Sequence, residues 1–200
     1  MTLRPIIFDA DSVRAILAGN KTQFRVPVKP QPEEGWSVIP SAGREGWFVL
    51  RTSAVTHFPV RPRNIGCPFG GPGALVAVKE SGYWNGGAWC YLADYRDEIA
   101  KGIRWRNPLF MPRVSSRLTL EIVSVRVERV HEISVADCHA EGVEPTWDGQ
   151  PSELERLENA WDRKYAKRGY PWASNPWVFA ITFRTITPTA ADAAGEPRHA

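Results

Sequence analysis

Cysteine, methionine and histidine are all scarce here: three Cys, two Met and four His in 200 residues. Cys67, Cys90 and Cys138 are odd in number, far apart and form no CxxC pair. That speaks against a disulfide framework and for idle thiols in a reducing compartment. His131, Cys138 and His139 are neighbours in sequence, but no second pair stands at ligand spacing, so no metal site is expected. P-loop, GxGxxG and HExxH patterns are missing, which leaves nucleotide-driven and zincin chemistry without support and implies no cofactor. No stretch approaches the roughly 20 apolar residues that cross a bilayer. Met1-Thr2-Leu3-Arg4-Pro5 lacks the apolar core of a signal peptide. The expected location is the cytoplasm, that of the host if the chain is phage-encoded.

What is present bounds the class further. An apolar fraction of 43% and this length suit one folded domain with a real core. The net charge of +3 is a mild basic bias, which permits nucleic-acid binding without demanding it, since a clustered patch matters more than the sum. Nine Trp are unusual in this length. They cannot all be core, so some line a groove or pin loops.

Periodicity and turn chemistry outline the elements. Residues 4–8 read as a strand, and Asp11 or Ser12 caps a helix carrying Val13, Ile16 and Leu17 that stops at Gly19. Residues 21–26 follow directly. Long loops are expected at about 27–46 and 59–73, the latter turning through repeated Pro and Gly. Residues 46–51, 74–79 and 88–93 have strand character, with 88–93 the expected partner of 74–79. The longest strand pattern covers 117–130, where the apolar phase switches near Ile122–Ser124, predicting a bulge. Ser134 with Asp137 opens a second helix ending near Gly142. Ser152-Glu153-Leu154-Glu155 is a capping box for a third, with Leu154, Leu157, Trp161 and Tyr165 at helical spacing and Gly169 as the stop. Residues 177–183 form the last strand, and 187–200 have the composition of a disordered tail. The fold class is therefore α+β, with about seven short strands and three inserted or flanking helices, a pattern that favours a barrel closed to remove its edges.

Four stretches in order carry a family resemblance. Val13-Arg14-Ala15-Ile16-Leu17-Ala18-Gly19-Asn20-Lys21-Thr22-Gln23-Phe24-Arg25 is similar to the ASCH-family opening RAILxGxKTQTRR. Cys67-Pro68-Phe69-Gly70-Gly71-Pro72-Gly73, running into Val78-Lys79-Glu80, resembles CPYGxPGDxLWVRE. Met111-Pro112-Arg113 with Ser116-Arg117-Leu118-Thr119-Leu120, and Asn175-Pro176-Trp177-Val178, complete the match. The chain thus resembles the larger, phage-encoded branch of the ASCH family over about residues 4–185. The resemblance implies one PUA-like mixed β-barrel domain over 1–186, which binds RNA or modified nucleic acid in a groove beside Lys21–Arg25. Departures are specific: Phe24 replaces a Thr, Val26 an Arg, Ala74 an Asp, Ala77 a Trp and Lys79 an Arg.

The candidate site residues follow. Lys21 and Thr22 either stand at the barrel mouth near a phosphate or base, or Thr22 bonds the turn backbone while Lys21 is solvated. A bacterial branch similar in this segment hydrolyses N4-acetylcytidine with a Lys, a Thr nucleophile and a later Glu. Here the nucleophile's place falls on Phe24, Thr22 is displaced by two residues, and Glu141 is the candidate acid. Lys79 and Glu80 point to opposite faces of a strand. Glu80 then faces the groove or pairs with Arg113 or Arg117. Arg25, Arg104, Trp105, Arg106, Arg113 and Arg117 combine charge for phosphate with an aromatic face for an unpaired base, although a Trp flanked by Arg also serves as a loop anchor. Trp172 is the freer candidate for stacking, and Trp177 is expected in the core. The leading expectation is a non-enzymatic module that recognises RNA or a modified base in a single strand. Its rivals are a modified-nucleoside hydrolase or ribonuclease, and a phage factor that binds a host protein.

Overall fold

A computed structural model describes residues 3–33, 35–40, 46–52, 59–95 and 102–186. The expected tail at 187–200 lies outside them. The described strands are β1 (Arg4–Ile7), β2 (Gln23–Pro27), β3 (Ser37–Pro40), β4 (Trp47–Thr52), β5 (Pro59–Ile65), β6 (Leu75–Lys79), β7 (Gly82–Asn85), β8 (Ala88–Tyr91), β9 (Thr119–Arg129) and β10 (Trp177–Thr185). The helices are α1 (Ala10–Leu17), α2 (Val135–Ala140) and α3 (Glu153–Tyr165). This is a mixed α+β chain built on a five-stranded sheet of order β1-β6-β9-β10-β2. The sheet is not a closed barrel. Two strands expected in its wall pair elsewhere: β4 lies in a three-stranded sheet β3-β4-β5, and β8 forms a hairpin with β7. β3 and β5 also occupy parts of the segments expected to be loops.

The chain divides into two compact units, one of Met1–Arg14, Leu75–Glu121 and Arg184–Ala200, the other of Ala15–Ala74 and Ile122–Phe183. In the first, β1 runs parallel to β6, with Arg4 opposite Val76 and Ile6 opposite Val78. β6 is antiparallel to the start of β9, with Val76 opposite Leu120. Val76, Val78, Leu118 and Leu120 are buried, as the apolar runs require. The expected partner of β6 is corrected: β8 pairs with β7, Gly82 opposite Tyr91 and Trp84 opposite Trp89. Asn85-Gly86-Gly87 turns tightly between them, which is the cheaper connection because it closes so short a loop.

In the second unit β10 lies antiparallel to β2, from Val178 opposite Pro27 to Thr182 opposite Gln23. Phe24, Phe179, Ile181 and Phe183 are buried there. Ser134 and Asp137 cap α2 reciprocally, and Ser152 and Glu155 do the same for α3. Trp161 and Tyr165 of α3 join Val130, Ile133, Cys138, Trp172 and Val178 in one apolar cluster. One local expectation changes. The cap of α1 is Asp9, whose carboxylate accepts the Ser12 N–H at 2.8 Å, two to three residues earlier than Asp11 or Ser12. In β9 the burial alternation ends after Ile122, and Val123 is half exposed. The Ile122 backbone bonds Gly73 and Ala74 there.

Candidate functional site

The residues singled out around Lys21 meet in the second unit. The end of α2 lies against the entry to β2: the Thr22 N–H donates to the Ala140 carbonyl at 2.8 Å, and Lys21 and Glu141 form an isolated antiparallel bridge. Gly142 makes the approach possible. It sits at φ +86°, and a Cβ there would lie 3.0 Å from that of Ala15 and 3.2 Å from that of Lys21. The Lys21 ammonium donates to the Glu141 carboxylate at 2.9 Å and to its backbone carbonyl at 2.5 Å. Both side chains are almost fully buried, 6% and 9% exposed. Lys21 is therefore not solvated, which corrects one of the two alternatives for it. Thr22 is exposed.

Arg25, four residues after Lys21 and within β2, is the centre of the cluster. Its guanidinium donates to Glu128 at 2.7 Å and to Glu141 at 3.1 Å, and Asp137 lies 3.5 Å away. Arg126 reaches Glu128 and Asp137, each at 3.2 Å. Lys21, Arg25 and Arg126 thus face Glu128, Asp137 and Glu141, and the formal charge cancels. Burial works against the Arg25 cation, yet Glu141 and Glu128 outweigh it and hold its pKa above the ordinary value. A guanidinium so enclosed is spent on carboxylates, which removes Arg25 from the set of phosphate ligands. Glu128 and Arg126 escaped the sequence reading because they lie about a hundred residues from Arg25, and nothing local marks the pairing. Phe24 is buried, edge-on to Phe69 at 5.5 Å and tilted against Phe183 at 5.8 Å. The position that the sequence resemblance gave to a nucleophile is filled by core.

Asp137 carries the pH dependence of this cluster. Burial alone would raise its pKa, but the Ser134 hydroxyl and N–H, together with Arg25, bring it from 3.8 down to about 2. A depressed carboxylate stabilises the fold fully above its unfolded pKa and ceases to as pH falls through the folded one. The window here is roughly pH 4 to 2, and the contribution about 2 kcal/mol. Urea midpoints of the wild-type chain should therefore fall more steeply across that window than those of Asp137→Asn. Parallel curves would refute the assignment.

A second buried pair lies in the first unit. Glu80 follows Val76 and Val78 in phase, so β6 delivers its carboxylate into apolar surroundings, where it is 1% exposed. Arg117 meets it through two bonds of 2.9 Å, reaches Asp94 at 2.8 Å, and lies 3.9 Å over the Tyr91 ring. Of the alternatives for Glu80, pairing with Arg117 is the arrangement observed. Lys79 points the other way and donates to the Leu109 carbonyl at 2.9 Å.

The segment from Arg104 to Val114 differs from both clusters. Arg104, Arg106 and Arg113 are exposed, and among the described residues none of their guanidinium groups has a hydrogen-bond or ion-pair partner. Trp105 is partly buried, edge-on to Tyr83 at 5.4 Å and Tyr95 at 5.2 Å, so it anchors the loop between its two arginines. Leu109, Phe110 and Val114 are exposed by 65%, 71% and 93%. Their exposure was not foreseen, since an apolar residue beside Pro or Arg carries no local sign of which way it turns. The expectations for two tryptophans are reversed. Trp172 is 6% exposed, packed near Trp161 and His131, whereas Trp177 is partly exposed with Arg129 over its ring at 4.5 Å. The Pro171-Trp172 turn tucks inward because its backbone N–H donates to Asp162 of α3 at 2.7 Å.

Among the described residues no group of three or more His, Cys, Asp or Glu is placed to hold a metal ion, and no helix is long and apolar enough to cross a membrane. No protein-family model matches the chain, and no curated protein matches it. Among solved structures, it is similar to the crystal structure of protein EF3133 from Enterococcus faecalis V583, described by the family model DUF984, with a TM-score of 0.43 and 9% identity over 100% of this chain and 88% of that one.

Proposed function

We propose that this chain is a nucleic-acid-binding module of the PUA-like ASCH type, a phage accessory protein that recognises RNA or a modified base in a single strand. The observation that carries the reading is the contrast among its cations. Lys21, Arg25 and Arg117 are consumed by buried carboxylates, while Arg104, Arg106 and Arg113 stand exposed on a short segment with Phe110. Exposed guanidinium groups without partners neutralise phosphates at little desolvation cost, and an exposed aromatic face stacks on an unpaired base. The sequence resemblance to ASCH proteins supplies the nucleic-acid class and the PUA-like fold type.

A hydrolase has one observation in its favour, the Lys21–Glu141 contact at 2.9 Å. It lacks a hydroxyl at position 24, and its cation is already neutralised by the acid it would work with.

Titration of labelled single-stranded RNA, single-stranded DNA and duplex DNA by fluorescence anisotropy tests the reading. Binding should be strongest to single strands and fall steeply with salt. The Arg104→Gln/Arg106→Gln/Arg113→Gln variant should lower the slope of log K against log salt by about 2, at roughly 0.7 per phosphate contact on a single strand. Incubation with N4-acetylcytidine should give no turnover. Absence of binding at low salt would overturn the proposal, and turnover abolished by Glu141→Gln would replace it with the hydrolase.

A further inference from the structure

The turn between β5 and β6 is unusually rich in backbone-shaping residues: Gly66-Cys67-Pro68-Phe69-Gly70-Gly71-Pro72-Gly73. It is held at both ends. Phe69 packs on Phe24, and the Gly73 N–H donates to the Ile122 carbonyl at 2.8 Å. Inside, the Gly70 N–H bonds the Cys67 carbonyl at 3.1 Å and the Ala74 N–H bonds the Gly71 carbonyl at 3.0 Å. Between this fastened turn, Trp47 of β4 and Val125 of β9 lies a cavity of about 250 Å³, lined also by Gly66, Cys67, Gly70 and Gly71.

The glycines are not equivalent. Gly70 has φ +102°, and a Cβ there would come 2.7 Å from that of Ala74, so backbone and packing both demand glycine. Gly66 has neither reason: its φ is not in the left-handed region and a Cβ would meet nothing within 4 Å. The space a side chain would occupy is left open beside the cavity. Trp47 is partly buried and rests against Phe179 at 5.6 Å, so its ring is held in place where it borders the space. Among the described residues that line the cavity none is charged, which suits an uncharged ring and not a phosphate.

We propose that this cavity takes one unpaired nucleobase of a single strand, stacked on Trp47, with its polar edge bonded by backbone groups of the Gly66–Gly71 turn. The volume admits a single heteroaromatic ring system and no longer segment. An aromatic wall serves a base through its π-face, and glycine walls bring backbone donors and acceptors within reach of its edge. The inference rests on the nucleic-acid reading and adds to it a ligand group and a place, distinct from the buried Lys21–Glu141 pair.

Cys67 supplies the readout, because it lines the cavity and is in no disulfide. The full chain is mixed with a ten-nucleotide RNA of adenosine or uridine, or with an abasic oligomer of equal length, and alkylation of Cys67 by iodoacetamide is followed by mass spectrometry beside anisotropy. Base-bearing RNA at saturation should slow Cys67 alkylation at least fivefold relative to the abasic oligomer. Trp47→Ala should weaken RNA binding by about 5- to 150-fold, the contribution of one stacked base. Because Trp47 also touches the core, Gly66→Leu is the second variant. Its Cβ would meet nothing within 4 Å, so the variant should weaken binding while leaving the unfolding midpoint close to wild type. RNA that binds without protecting Cys67, with Gly66→Leu binding as wild type, overturns the base pocket and leaves the nucleic-acid reading intact. No binding by any oligomer overturns both.

Discussion

Replacing Arg25 with Met should cost about 3–5 kcal/mol of stability, read as a fall in the urea midpoint at unchanged slope. Met keeps most of the length and the apolar stem but removes the guanidinium. Glu128, Asp137 and Glu141 then remain in a poorly solvated space, with only Lys21 and Arg126 opposite them. Burying an unpaired carboxylate is far costlier than the net worth of the pair that held it. Salt should not rescue the variant, because counterions screen exposed charges and reach buried ones poorly. Arg25→Lys should fall between the two. A single ammonium cannot reproduce the planar fork that serves Glu128 and Glu141 at once. A loss under about 1 kcal/mol for Arg25→Met would show that the carboxylates are reached by water or neutralised by protons.

Arg117→Met in the first unit should destabilise by a similar amount, about 3–5 kcal/mol, since it strands the Glu80 carboxylate, the most enclosed charge among the described residues. The informative measurement is the double-mutant cycle. Glu80→Leu alone leaves Arg117 paired with Asp94, which is half exposed, and partly open to solvent itself, so it should cost less than Arg117→Met. Glu80→Leu/Arg117→Met removes both charges and fills the site with apolar atoms. It should recover most of the loss, giving a coupling of roughly 1–3 kcal/mol. Additive losses would mean that Arg117 matters through its stacking on Tyr91 and not through Glu80.

The two clusters also explain why a count of basic residues is a poor guide to a binding face here. Arg25 and Arg117 belong to two of the stretches that carry the sequence resemblance, yet both are satisfied internally. Arg104, Arg106 and Arg113 have no ion-pair partner among the described residues and are exposed. The distinction is one of burial and partnership, and formal charge is blind to both.

Local rules were legible in the chain wherever the interaction spans a few residues. The reciprocal caps Ser134–Asp137 and Ser152–Glu155, the left-handed stop at Gly169 and the strand character of β6 and β10 all follow from short-range sterics and hydrogen bonding. Lys21 and Glu141 were legible as separate candidates. Tertiary structure alone decided that they touch, that Arg25 joins them to Glu128 and Asp137, that Glu80 takes Arg117, and that Trp172 turns inward while Phe110 turns outward. It also decided strand partnership: β7 claims β8, and β3 to β5 pair among themselves instead of completing a barrel wall. The physical reason is the same in each case. A side chain's pattern reports that it must be buried or neutralised, but many partners satisfy that demand equally well. The choice among them is made by the free energy of packing the whole chain, in which contacts a hundred residues apart count as much as neighbours.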